Sequence, residues 1–425
     1  MEQAIAFSTV ALTVTLAVSR PRMKPFAWRI TPGAAAVFGV LVLMLARLIR
    51  VEDLLVALRI QWRPLVSLFC IMVMTGVVEE VGAFERLAAR LEAYGRRTSA
   101  ARAFSLVFAV SIVTPSLLNN DSAVLLLTPL AVALARRLYP GQPGMVEAFA
   151  FAVFLAPGVA PLFISNPMNM IVAGYAGIGF NAYAAIMVPI SLAGALATWL
   201  ILRWRFRHAL STARADARPV AIPAPRRAER PALLLLAAVF IAYPVAAALH
   251  VQIWTVTLAG ALGSFAVARG LEVAPAKKLV GHVSFDIIVF LWGVFVVVAG
   301  LRNAGLTAHL SALFRLVPDG SAAQIGLVGS TAALGSALVD NHPMSMLNML
   351  ALGSNGQSRA LLAALVGGDI GPRLLPIGSL AGLLWMDLVR RANVTITVGR
   401  FVRLGALVLV PTLALSLAML ALHGP

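Results

Sequence analysis

The chain has 425 residues, 60% hydrophobic and only 12% charged, and its mean hydropathy of +0.91 lies far outside the range of a soluble domain. The formal net charge of +17 comes from Lys and Arg set between apolar runs, not from a patch with interleaved aromatics, which argues against a nucleic-acid partner. The single cysteine, Cys70, excludes an internal disulfide and any metal site built on two or more thiolates; inside an apolar run it reads as a small buried hydrophobe, and no cofactor is expected.

Apolar runs near the roughly 20 residues that cross a bilayer occur at 3–19, 31–49, 64–81, 146–175, 183–203, 232–249, 254–269, 283–301, 373–390 and 401–422. The first lacks a charged region before it and an A-x-A pattern after it, so it reads as a retained helix. Two further runs, 103–138 and 322–353, carry polar residues at their centres. Segments 20–29, 86–102, 136–137, 203–230, 269–278 and 390–403 hold 26 of the 34 Lys and Arg. Placing all six in the cytoplasm, as the positive-inside rule asks, requires 103–138 to enter and leave on the cytoplasmic side and 322–353 to enter and leave outside. Both are then re-entrant hairpins, ten spans remain, and both termini lie outside. Segment 47–63 is the exception, an outside loop with four Arg beside Glu52 and Asp53.

Residues 203–231, RWRFRHALSTARADARPVAIPAPRRAERP, form the one long polar stretch; its arginines and prolines build no core, so it reads as a cytoplasmic linker held near anionic lipid. It separates a first repeat, 1–202, from a second, 232–425. Each repeat has three spans, a hairpin, a broken span (146–175 and 359–390) and a final span. The first repeat crosses an odd number of times, so the second is inverted. The fold class expected is an all-α polytopic membrane protein with two inverted repeats, about ten transmembrane helices, two opposed re-entrant helical hairpins and two broken helices. Residues 84–98 and 306–316 read as interfacial helices in matching places.

The hairpin tips carry Asn119-Asn120-Asp121 and Asp340-Asn341-His342, which align at a shift of 220 with the acid and amide in reversed order. Ionisable groups at membrane depth cost about 2.5 to 3.5 kcal/mol and mark substrate or ion paths, and a tip can satisfy its backbone only inside protein or along a wet cavity. The broken spans, APGVAPLFISNPMNMI and GGDIGPRLLPIGSLAG, place Ser165, Asn166 and Asn169, and Asp369, Arg373 and Ser379, beside helix-breaking Pro and Gly, where half-helix ends supply hydrogen bonds and partial charge. The substrate-binding candidates are therefore Asn119, Asn120, Ser165, Asn166, Asn169, Asn341 and Ser379. Those for proton coupling are Asp121, Asp340, His342, Asp369 and Arg373. Alternatives stand beside several: His342 either relays protons or ties its hairpin together, Asp369 and Arg373 either neutralise each other across one turn or act on substrate, and the glycines either free backbone or let helices pack closely. A further alignment sets Glu79 against Arg302, a candidate charge pair across the pseudo-twofold axis, unless both merely reach the interface.

The runs NNDSAVLLLTPL, SNPMNMIVAGYAGIGFNAYAAIMVP, VVVAGLRNAGLTAHLS and above all GGDIGPRLLPIGSLAGLLWMDLVRR resemble the bacterial arsenite/antimonite efflux permease family, ArsB-type, of the ion transporter superfamily, in order over nearly the whole chain. That resemblance implies a scaffold and a mobile transport domain, with elevator-like, proton-driven export of As(III) and Sb(III). Its implied partners are arsenite or antimonite, protons, the bilayer, a cytoplasmic arsenite-stimulated ATPase for some members, and a second copy in a homodimer. The family's first tip pair maps to Asn120 and Asp121. Its second, usually two Asn before a proline, maps to Asp340 and Asn341, so Asp340 stands where an amide is usual and His342 precedes Pro343; Ser122 stands where glycine is common. A sodium/proton antiporter, an anion importer and an intramembrane aspartyl enzyme built on Asp121 and Asp340 are the competing readings. The importer needs cations near the tips and only Arg373 qualifies, and the repeat has no purpose in an enzyme.

Overall fold

The computed structural model describes residues 2–423 except 20–21, 24–27, 119, 217–220 and 354–357. The first three helices are α1 (Glu2–Ser19), α2 (Pro32–Leu45) and α3 (Val51–Glu80), with a two-residue β-ladder, Arg22–Met23 on Trp28–Arg29, between α1 and α2. Thr31 caps α2, and the Asp286 carboxylate accepts from the Thr31 hydroxyl and from Gly33 N at 3.1 Å. α3 corrects the expected loop: residues 51–63 continue the helix of the third span, and 30 residues make roughly 45 Å, longer than the hydrocarbon layer. Pro64 does not stop it.

Gly82, at φ 80°, turns the chain into the basic amphipathic helix α4 (Ala83–Arg97). A residue with a β-carbon is disfavoured in that left-handed conformation. Then follow the first hairpin, α5 (Ala100–Leu118) and α6 (Asn120–Leu138), and the first broken span, α7 (Pro143–Leu155), a 3₁₀ turn at Phe163–Ser165, and α8 (Pro167–Tyr175). α9 (Phe180–Arg205) closes the first half, and the short α10 (Arg207–Thr212) follows it.

The second half repeats this order: α11 (Glu229–Ala248), α12 (Ile253–Gly270), α13 (Ala276–Gly281) and α14 (Phe285–Asn303), then Gly305 at φ 79° and α15 (Leu306–Phe314). The second hairpin is α16 (Ala322–Val339) and α17 (Asn341–Leu352). Its broken span is α18 (Ser358–Ile370), 3₁₀ turns at Gly371–Arg373 and Pro376–Gly378, and α19 (Leu380–Arg391), and α20 (Val398–Leu422) is last. Eight of the described helices are long and apolar enough to cross a membrane; six match expected spans, and two, α5 and α16, are the first arms of the hairpins.

The core divides across the repeats. The first hairpin packs with α7 and with α19 of the other half, while the second packs with α18 and with α8 of the other half. α16 lies so close to α18 and to the 3₁₀ turn after it that a β-carbon at Gly367 or Gly371 would meet the carbonyls of Gly329 and Ala333 respectively, so these two glycines serve helix packing. The linker is no free tether among its described residues. Asp216 N donates to Leu138 O at 2.8 Å and its own carbonyl accepts from Arg96 at 2.7 Å; Arg226 donates to Glu80 O at 2.6 Å, and Glu229 pairs with Arg86 at 3.1 Å, both buried. These carbonyl contacts and the buried pair override the composition, because α4 lies close enough to offer partners to the linker's charges.

Candidate substrate and coupling site

The two gaps in the broken spans face each other, and each is closed by polar groups of the other half. Asp369, at the end of α18, accepts from Ala160 N and Asn169 Nδ2 through one oxygen and from Asn166 Nδ2 through the other, all at 2.9 Å. Asn169 Nδ2 also donates to the Tyr183 hydroxyl at 2.7 Å, which donates to Ala160 O at 3.1 Å. Arg373, 2% exposed, donates to Leu155 O at 2.7 Å and Pro157 O at 3.0 Å, and to the hydroxyls of Thr412 (3.1 Å) and Thr198 (3.4 Å). The carbonyls freed where α7 ends thus meet a cation, as the negative end of a helix requires. Asp369 and Arg373 form no ion pair with each other: Asp369 is held by groups of the first half, and Arg373 by three acceptors of the first half and Thr412 of its own.

The second half of each broken span starts on a side-chain cap. Asn166 Oδ1 accepts from Met168 N at 3.1 Å to begin α8, and Ser379 Oγ accepts from Gly382 N at 3.0 Å to begin α19. Ser165 Oγ donates to Ser116 O at 2.9 Å, fastening the first gap to the first hairpin. Between these elements lies a cavity of about 50 Å³, room for about four water-sized groups. Its wall includes Asn120 from the first tip, Asn341 from the second, and Ser165, Asn166, Asp369 and Ser379 from the gaps, with Ser191 of α9 and Arg373 behind. Asn120 Oδ1 and Asn341 Oδ1 are buried without an intramolecular hydrogen-bond partner.

Most of the expected residues therefore meet. Asn169 lies just behind the wall, supporting Asp369. Asn119 and the side chain of Asp121 lie outside the described residues. Asp340 does not face the cavity: at φ 79° it caps α17, taking His342 N at 2.9 Å and His342 Nδ1 at 2.8 Å on one oxygen, with the His342 ring edge-on to Phe290. That places Asp340 and His342 in a buried turn that ties the second tip together. The Glu79–Arg302 pair does not form: Glu79 lies 3.3 Å from His282, and Glu80 takes Lys278 at 2.7 Å and His282 at 2.9 Å. α3 ends beside α13, where α14 begins, whereas Arg302 closes α14 roughly 25 Å further along its axis. Tyr183, Thr198 and Thr412 escaped sequence reasoning; the one available signal was the few hydroxyls inside each apolar final span, Tyr183, Ser191 and Thr198 in the first and Thr412 and Ser416 in the second.

The family model described as arsenical pump membrane protein matches residues 5–423 of this chain. The chain belongs to that family. Among similar proteins are arsenical pump membrane proteins of Escherichia coli and of Yersinia enterocolitica, each 30% identical, with 99% of this chain and 98% of the relative covered. A crystal structure of the Alcanivorax borkumensis YdaH transporter covers 99% of this chain and 97% of its own with a TM-score of 0.56 at 14% identity, a likeness of fold. The residues that the arsenical pump family model matches include both hairpins and both broken spans.

Proposed function

We propose that the protein exports arsenite and antimonite, as neutral trihydroxides, in exchange for protons moving inward. The observation that carries this reading is the small cavity between the four polar ends, with two partnerless amide oxygens in its wall. A neutral trihydroxide brings three O–H donors and needs acceptors, whereas an anion needs a free cation. Among the described residues of the wall the one guanidinium, Arg373, already gives both terminal nitrogens to two carbonyls and two threonines, which leaves only its Nε without a partner. An intramembrane dyad of Asp121 and Asp340 gains no support, since Asp340 is bound to His342.

The gaps and tips, divided between the two repeats, suit alternating access in which hairpins and broken spans move together, elevator-like, against α3 and α12. The basic linker and the arginines of α4 belong in the cytoplasm of a bacterial inner membrane, with both termini periplasmic; a homodimer and a cytoplasmic arsenite-stimulated ATPase are the further partners of this reading. Asp121 is the proposed proton carrier. One proton moved down 100 mV contributes about 2.3 kcal/mol, which at about 1.4 kcal/mol per decade sustains roughly a fifty-fold gradient.

Everted vesicles test this reading. Arsenite and antimonite should accumulate with an inward-acid gradient and stop when a protonophore collapses it, while sodium and succinate have no effect. Sodium-driven proton movement without metalloid accumulation would establish the antiporter instead. Asp121→Asn should abolish coupling, and a fully active variant removes Asp121 from the site.

A further inference from the structure

A second and larger cavity, about 700 Å³, opens at the far end of α3 from the linker. Roughly 26 Å of helix separates Arg63 from Glu80, where the linker is fastened. The rim is Arg59, Trp62 and Arg63 of α3, His250 and Gln252 of the α11–α12 turn, and Trp254 at the start of α12. Arg63 donates to Gln252 Oε1 at 3.2 Å and lies 5.3 Å from the Trp62 ring centre, and Trp62 meets Trp254 edge-on at 5.2 Å. Arg59, one turn earlier, makes no hydrogen bond or ion pair among the described residues, and no acidic side chain lines the cavity among them. The floor is apolar, with Phe163, Met170, Ile171 and Phe180 from the first broken span and the start of α9.

A polar rim with two cations and a tryptophan pair above an apolar floor has the profile of a membrane interface folded inward. These arginines are two of the four that break the charge asymmetry of the loops, and holding them on this face calls for an anion. We propose that the cavity binds the phosphodiester of an anionic phospholipid between Arg59 and Arg63, with its acyl chains along the floor. A soluble anion would satisfy the cations but leave the apolar floor uncovered. Bound there, the lipid touches α3 and α12 on one wall and α8 on the other, and so braces the first broken span.

Native mass spectrometry of the full chain in detergent, with phosphatidylglycerol, phosphatidylethanolamine or inorganic phosphate added, tests this. Phosphatidylglycerol should be retained preferentially, and Arg59→Gln with Arg63→Gln should weaken its binding about thirtyfold, from two cations near a phosphate surface. Arg59→Lys with Arg63→Lys should keep most of the binding. Arg302→Gln with Arg315→Gln, exposed arginines of equal charge elsewhere, should change nothing. Equal losses in the two Gln pairs would reduce the effect to bulk charge and overturn the site. Displacement of phosphatidylglycerol by inorganic phosphate that itself binds in an Arg59- and Arg63-dependent way would make the occupant a soluble anion and overturn the lipid assignment.

Discussion

Replacing Asp369 by Asn keeps the side-chain shape and changes one oxygen to an amino group, so it isolates the donor–acceptor logic that joins the two halves. The remaining oxygen can stay with Ala160 N and Asn169, but the new amino group then faces Asn166 Nδ2, donor against donor. One charge-assisted hydrogen bond is lost, about 1.5 to 3 kcal/mol, and a buried donor is stranded, about 1 to 3 kcal/mol more. The variant should lose about 3 kcal/mol or more of stability, read as a lowered unfolding midpoint in detergent, together with arsenite transport in everted vesicles. Adding Asn166→Asp reverses the polarity of the contact: its carboxylate accepts the amide and still caps α8 at Met168 N. The double variant should regain about 2 kcal/mol relative to Asp369→Asn, a coupling of the size neighbouring groups show. A single variant as stable as the parent, or a double variant no better than the single, refutes the proposed bridge.

Three further outcomes follow from the same geometry. Asn120→Ala and Asn341→Ala remove amide oxygens that have no partner in the protein, so arsenite transport should fall at least about tenfold, one lost hydrogen bond to a solute, with the unfolding midpoint unchanged; equal loss of both would assign these residues to the fold. Glu229→Gln leaves the buried Arg86 charge without a counter-ion, costing up to about 3 to 5 kcal/mol, and should open the arginine-rich linker to limited trypsin cleavage, whereas an unchanged digestion pattern would show the linker is not held by this pair. Gly158→Ala puts a β-carbon 2.8 Å from Arg373 Nη2, whose guanidinium is held by four acceptors and cannot swing away freely; a cost of about 1 to 3 kcal/mol and reduced transport are expected, and a neutral variant would mean Arg373 is more loosely held than its partners indicate.

Much of the architecture was legible in the residues because a bilayer enforces it: apolar runs of bilayer length, arginines sorted by loop, and polar residues where a hairpin must turn. α4, the two hairpins and the two broken spans lie where those rules place them. The errors have a common source. Residues 51–63 and the linker are charged, and composition assigns such stretches to solvent; in the fold the first forms the opening turns of α3, and in the second the few acids find the arginines of α4 while Arg226 finds a carbonyl. The Glu79–Arg302 pair failed because a shift between aligned segments records equivalence under an inverting axis, and inversion carries the two span ends to opposite faces.

Within the candidate site, residue types alone picked out Asn120, Asn341, Ser165, Asn166, Asp369, Arg373 and Ser379, since polar groups beside helix breakers in an apolar chain have few other uses. What each of them touches was decided only in three dimensions. Asp369 and Arg373 are four residues apart and, read locally, neutralise each other; in the fold each crosses to the other half, because the ends of α7 and α8 present donors and acceptors that a neighbouring side chain could not satisfy. Likewise, Asp340 and Asn341 are adjacent in the chain, yet one is consumed capping α17 and the other opens to the cavity. Local sequence thus determined which residues are polar at depth, while the exchange of broken-span halves between the two hairpins determined which of those groups are left free to bind a solute.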